Sequence, residues 1–266
     1  MIINWLAKQV LSNTQQWDLS LTNFYPSTRL WMSNPESYVN HLTVECNYLN
    51  AAKCINFNSY LSDNAHVLDV GCGGGWLTGY LSSFSRISSI MAIDTSANYL
   101  HEFLPKVVNI MNGNQHKVQR VQALFSPLLL KSKSIDLIVI SSALHHADSM
   151  GNVLREFSRV LKSNGKLIIL NETPRSNFRF CLQMFKSFLY IFSSTLLRSY
   201  VEFPQELSAG CHLYDPYLGD HDYPLWYWKK AIKSNGFKKI ETINTNLSTK
   251  VNVKGRSLYC FICHNN

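Results

Sequence analysis

A chain of 266 residues, 46% hydrophobic and 16% charged, is ordinary for a soluble globular protein and long enough to bury a full α/β core. No run reaches the roughly 20 apolar residues of a membrane span, no signal-peptide pattern stands at the N-terminus, and the seven scattered cysteines exclude a disulfide framework, so a cytoplasmic protein is expected. The net charge of +8 favours anionic partners without choosing among phosphorylated metabolite, nucleic acid, acidic carrier domain and lipid surface, and its dispersal along the chain makes most of it solvated surface.

Residues 1–62 read as a helical cap placed before the core. Trp5, Leu6, Val10 and Leu11 share one helical face. A turn-rich stretch from Phe24 to Pro35 then leads to a second helix over about 36–61, where Tyr38, Leu42, Cys46, Leu49 and Cys54 form a stripe and His41 and Glu45 an i, i+4 pair. Tyr38 and His41 could equally serve a ligand site or pack as ordinary helix residues.

Residues 66 to 76 carry the strongest signal. The apolar strand Val67-Leu68-Asp69-Val70 runs into glycines at 71, 73, 74 and 75, and then into the helical spacing of Trp76 to Leu81. Glycines are needed where φ is positive or where the backbone touches a ligand, and the helix that follows points free N–H groups at that ligand. A dinucleotide fingerprint would place its third glycine at position 76, which is Trp. The pattern acid-x-G-x-G-x-G, from Asp69 through Gly71, Gly73 and Gly75, resembles instead the first motif of class I S-adenosylmethionine-dependent methyltransferases.

By that resemblance the turn wraps the methionine part of the cofactor, with Asp69 near its ammonium group and Cys72 in the lining. Asp94 ends the second strand about one βαβ unit on, where an acid accepts the two ribose hydroxyls; Thr95 follows it, and the alternative role for Asp94 is to cap the next helix. Family members usually carry an Asp and a small residue near the adenine amine, where this chain has Leu124 and Phe125. Adenine is then left to stacking and backbone contacts, or to Ser126. The block Ile135 to His146, with Ser141 at the cofactor, and the block Leu154 to Leu167 resemble the small-molecule, methyltransferase type 11-like branch of the family. The likeness covers roughly residues 64 to 171.

Strands are predicted at 66–70, 89–93, 117–121, 135–140 and 166–170, and helices at 75–83, 96–109 and 150–162. Alternation of this kind implies a parallel sheet with its ligand beyond the carboxyl ends of the strands. A helix from Leu225 to Asn235 and strands near 238–243 and 257–263 complete a Rossmann-like, seven-stranded, mostly parallel α/β sheet. Cys260 and Cys263 have the spacing of a redox or zinc pair but lie in an apolar run with no second pair, so they read as core strand and no metal is expected. Residues 175–222 form an insertion in the 63–266 core. Its first half, from Phe178 to Phe192, is apolar almost all round and suits burial, a partner or a membrane surface; the whole is read as a lid over the substrate pocket.

In-line methyl transfer asks a protein to position a nucleophile and exclude water, and a hydroxyl or acidic carbon also needs a base. His145 and His146, after the fourth strand, are the leading candidates, followed by His221, Tyr223 and Glu172. Base-amine methyltransferases of nucleic acids often carry an Asn/Asp-Pro-Pro-aromatic motif where this chain reads Ser-Ser-Ala-Leu, which disfavours nucleic acid. The expected activity is methyl transfer to a small molecule, such as a sugar, a lipid-linked or a secondary-metabolite acceptor. The rival is a non-catalytic partner subunit of the same fold that uses the apolar 178–192 face.

Overall fold

A computed structural model describes residues 2–9, 32–182, 184–185, 214–215, 220–249 and 256–265. Its centre is β2 (Ala65–Val70), buried on both faces from Val67 to Val70, as a strand flanked by helices requires. Around it stand β3 (Ile87–Asp94), β4 (Val118–Gln122), β5 (Ile135–Ser141) and β6 (Leu161–Glu172), all parallel. β10 (Ser257–His264) runs antiparallel between β6 and β9 (Lys239–Ser248). With β1 (Ile2–Asn4) at one edge, the order is β1-β4-β3-β2-β5-β6-β10-β9.

Side-chain alternation sorts the core into two layers. Leu68, Val70, Ile138 and Ile140 join Phe157, Trp228 and Phe261 on one face; Val67, Leu137 and Val139 join Trp76, Leu77 and Ile262 on the other. α5 (Met150–Val160) shows how a helix joins its layer: Ser149 accepts from the Asn152 N–H at the start, and Val153, Leu154, Phe157 and Val160 make the buried stripe. Cys263 points into the first layer and Cys260 into the second. The pair is core strand, and burial pushes the Cys260 thiol up to about 11.

Three expectations change. The N-terminal segment is not the α-helix that Trp5, Leu6, Val10 and Leu11 suggested: Ile2–Asn4 is a strand, β1, paired in parallel with Arg120 to Gln122 of β4, and Leu6–Lys8 makes a single 3-10 turn. An open β4 edge offers unpaired N–H and C=O groups, and two β-branched residues satisfy them better than a helical turn would. The sheet therefore has eight strands, and Val10 and Leu11 lie outside the described residues. The helix expected over 36–61 is broken into α1 (Pro35–Asn40), a π-turn at His41–Glu45, α2 (Tyr48–Lys53) and a short turn at Phe57–Ser59. The break falls at Asn47, whose φ of 60° leaves the helix and whose amide donates to the Ser248 carbonyl at 2.8 Å. Finally, α5 stops at Val160, before Asn164-Gly165, because Leu161 already pairs with Ile135.

The remaining elements are α3 (Trp76–Ser82), α4 (Leu104–Ile110), which continues a π-turn at Tyr99–Phe103, α6 (Leu225–Ser234), and the two-residue strands β7 (Tyr214–Asp215) and β8 (Asp220–His221). Of the insertion, residues 177–182 and 184–185 are helical. Residues 183, 186–213 and 216–219, most of the expected lid and the Phe188 to Phe192 part of its apolar face, lie outside the described residues. Among the described residues no helix is long and apolar enough to cross a membrane.

Candidate active site

The turn after β2 is fixed by backbone geometry. Gly71, Gly73 and Gly75 have φ of +64°, +52° and +90°, values that side chains resist. Cys72 N–H donates to the Ile93 carbonyl and Gly75 N–H to the Cys72 carbonyl, both at 2.9 Å. Gly71 also has no room for a side chain: a Cβ there would stand 2.7 Å from the Ala143 Cβ and 3.2 Å from the Phe125 ring. Phe125 is thus brought against the turn.

Asp94 closes the turn from β3. Its Oδ2 accepts from Gly73 N–H at 2.8 Å and its Oδ1 from Ser96 N–H at 2.9 Å, so it caps the following segment and faces the glycines at once. Asp69, almost fully buried, accepts from Thr78 Oγ1 at 2.6 Å through Oδ2. Its Oδ1 is buried with no hydrogen-bond partner. Burial pushes its carboxyl up to about 7, opposed by the Thr78 bond and reinforced by the charge of Asp94. An unpaired buried acceptor costs about 1–3 kcal/mol.

Three contacts here were not read from the sequence. The Tyr38 hydroxyl accepts from Gly74 N–H at 2.8 Å, and a Cβ on Gly73 would meet it at 2.7 Å; the ring is packed by Tyr99 and Phe103, and burial raises its pKa well above the ordinary value, helped by Tyr99. Gln9 accepts from Leu124 N–H at 2.9 Å and donates to the Pro127 carbonyl at 2.8 Å, so the backbone at Leu124 is held by this chain itself. Thr78 supplies the partner of Asp69. A threonine two residues into a helix after glycines was the available signal for the last.

The other side of the rim lies at the ends of β5 and β6. Asn171 Nδ2 donates to Ser141 Oγ at 2.9 Å. Tyr48 Oη and Ser142 Oγ are 2.9 Å apart, which brings α2 onto the same rim. His145 Nδ1 stands 2.7 Å from Glu172 Oε2, and the His145 and His146 rings are 4.2 Å apart. Glu172 and Asn171 are buried, and Glu172 Oε1 and Asn171 Oδ1 are the other two buried side-chain polar atoms among the described residues with no hydrogen-bond partner. β8 packs on the turn 144–146, and its His221 stacks on Tyr223, which stacks on Tyr227. His145, His146, His221, Tyr223 and Glu172 are therefore gathered in one region, while Thr95, on the β3 side, holds only the Gln122 amide through its carbonyl. Below them Asp222 binds both Arg175 and Arg256, at 2.6 and 2.8 Å, tying the ends of the insertion to the strand edge.

The chain is similar in sequence and in fold to known proteins. Residues 68–169 match the family model of the methyltransferase domain, and the class it resembles takes S-adenosylmethionine as methyl donor. Over 121 residues the chain is 30% identical to a ubiquinone/menaquinone biosynthesis C-methyltransferase, UbiE, of Campylobacter jejuni, covering 44% of this chain and 48% of that one. Over 118 residues it is 33% identical to a ubiquinone biosynthesis O-methyltransferase of Xanthomonas oryzae, covering 41% and 45%. The matched stretch spans about half the length of these curated relatives. A solved S-adenosylmethionine-dependent methyltransferase of Aquifex aeolicus shares the fold, with a TM-score of 0.53 at 16% identity over 85% of this chain and 96% of that one.

The residues present fit that cofactor. Asp69 Oδ1 is a buried acceptor in want of a donor, which an ammonium group supplies, and it lies beneath a turn that glycines keep bare.

Proposed function

We propose that this chain methylates a small-molecule acceptor at the rim between the glycine turn and the ends of β5 and β6. The observation that carries the reading is the buried, partnerless Asp69 oxygen beneath the glycine turn. S-adenosylmethionine, when bound, supplies an electrophilic methyl group whose carbon–sulfur bond breaks with its electrons staying on sulfur as the acceptor atom bonds to carbon. The chain's part is to hold, orient and deprotonate. Asp69, Cys72 and the turn from Gly71 to Gly75 face the methionine part, Asp94 and Thr95 the ribose, and Leu124, Phe125 and Ser141 the rest of the lining. Tyr38, on the N-terminal cap, holds the turn closed from outside.

On the acceptor side, Glu172 orients His145. With Nδ1–H donated to that carboxylate, Nε2 carries the lone pair and can take a proton from a hydroxyl or an acidic carbon. His146 and His221 line the same region. The relatives' names couple carbon and oxygen methylation to quinone biosynthesis, so a lipophilic, quinone-type ring is the favoured acceptor. Phe178, Cys181, Leu182 and Phe185 recur at i, i+3, i+4 and i+7 and are exposed, which supports contact of the insertion with a lipid surface.

Calorimetric titration with S-adenosylmethionine and S-adenosylhomocysteine tests the core of this reading. Micromolar binding is expected, weakened at least tenfold by Gly73→Ala, whose Cβ meets Tyr38 at 2.7 Å, and by Asp94→Ala. No binding to the wild type would sink it.

A further inference from the structure

Two of the three partnerless buried side-chain oxygens among the described residues, Asn171 Oδ1 and Glu172 Oε1, belong to consecutive residues at the end of β6. Consecutive strand residues normally face opposite ways. Here Asn171 has a φ of +59°, and both side chains reach the end of β5, Asn171 at Ser141 and Glu172 at His145. The backbone has left the strand conformation at the point where two acceptors are brought to one rim. Folded chains pair such groups, so a ligand completes them.

We propose that Glu172 and Asn171 form an acceptor subsite for a second hydroxyl of the molecule being methylated, whose one hydrogen goes to Glu172 Oε1 and is shared with Asn171 Oδ1, so that the acceptor is a ring bearing at least two hydroxyls. The inference rests on the methyltransferase reading. A carboxylate and an amide oxygen only accept, so the ligand must donate. A hydroxyl suits the subsite better than an ammonium group, because a cation on Glu172 would oppose protonation of the imidazole that the same carboxylate holds at 2.7 Å. A flat ring is favoured by the aromatic stack His221, Tyr223 and Tyr227 beside the 144–146 turn. Glu172 thus has two tasks: Oε2 positions His145 and Oε1 selects the acceptor.

The test uses the full chain saturated with S-adenosylhomocysteine and the probes phenol, catechol, resorcinol and hydroquinone, each titrated by calorimetry. At least one dihydroxybenzene is expected to bind ten times more tightly than phenol, as one hydrogen bond to a carboxylate gives. Glu172→Gln, which replaces a charged acceptor by a neutral amide and leaves Asn171 in place, should lower that ratio about threefold while leaving S-adenosylhomocysteine affinity unchanged. Equal binding of phenol and all three diols overturns the proposal. The wild-type ratio needs no variant, so it decides the matter even if Glu172→Gln does not fold. Failure of S-adenosylhomocysteine to bind the wild type would instead defeat the underlying methyltransferase reading.

Discussion

At the ends of β2 and β3 the two carboxylates are served by close neighbours in the chain: Asp69 by Thr78, nine residues on, and Asp94 by Ser96 and by Gly73, two and 21 residues away. At the ends of β5 and β6 the partners are further apart, 27 residues for His145 and Glu172, 30 for Ser141 and Asn171 and 94 for Tyr48 and Ser142. The first half is a turn that largely holds itself. The second is held by side chains from separate elements and leaves two buried acceptors unpaired, against the single Asp69 Oδ1 of the first. A cofactor of fixed chemistry can be met by a local motif, whereas an acceptor is met by whatever the surrounding elements bring.

The largest effect should come from the residue that touches both halves. Gly71→Ala combines a φ of +64° with a Cβ 2.7 Å from Ala143, beyond β5, and should destabilise the fold by about 2–4 kcal/mol in urea titration. A loss below about 0.5 kcal/mol would show that the two halves are not braced against each other there.

Next comes the charge buried in the local half. Burial raises the Asp69 carboxyl from 3.8 to about 7, so the folded chain keeps a proton that the unfolded chain has released. Stability is then fully present below about pH 4 and is lost as pH rises toward 7, by at most about 1.4 kcal/mol per pH unit. Asp69→Asn should remove that slope in the ligand-free protein. If wild type and variant track one another across the interval, Asp69 is not held protonated.

The smallest change tests whether the local half is as self-sufficient as it looks. Tyr38→Phe keeps the ring against Tyr99 and Phe103 but takes the acceptor from Gly74 N–H. A loss of about 1 kcal/mol in the same titration is expected. No loss would mean that the turn needs nothing from α1.

This contrast also explains what the sequence disclosed. The strand, glycine turn and helix from Val67 to Leu81 are contiguous, so period and glycine placement reveal them. Asp94 was legible because one βαβ unit sets its distance from the turn. The pairing of His145 with Glu172 was not: both residues stood out separately, but nothing in a linear pattern says that the end of β6 lies beside the turn after β5. Asn171, Tyr48 and Gln9 carried no local signal, being ordinary polar residues whose roles come from long-range neighbours. β1 was misread as helix because three residues cannot display a period, and the edge that recruits them is more than a hundred residues away.

That edge gives the chain an order of events in time. Ile2 to Asn4 are translated well before the strand they pair with, Arg120 to Gln122, which is made only after the glycine turn and the next two helices exist. Gln9 waits equally for Pro127, 118 residues later. Closing so long a loop is slow relative to joining neighbouring strands. A strand made before the central ones is therefore among the last to dock, and substitutions in β1 should chiefly quicken unfolding while leaving the folding rate of the central strands unchanged.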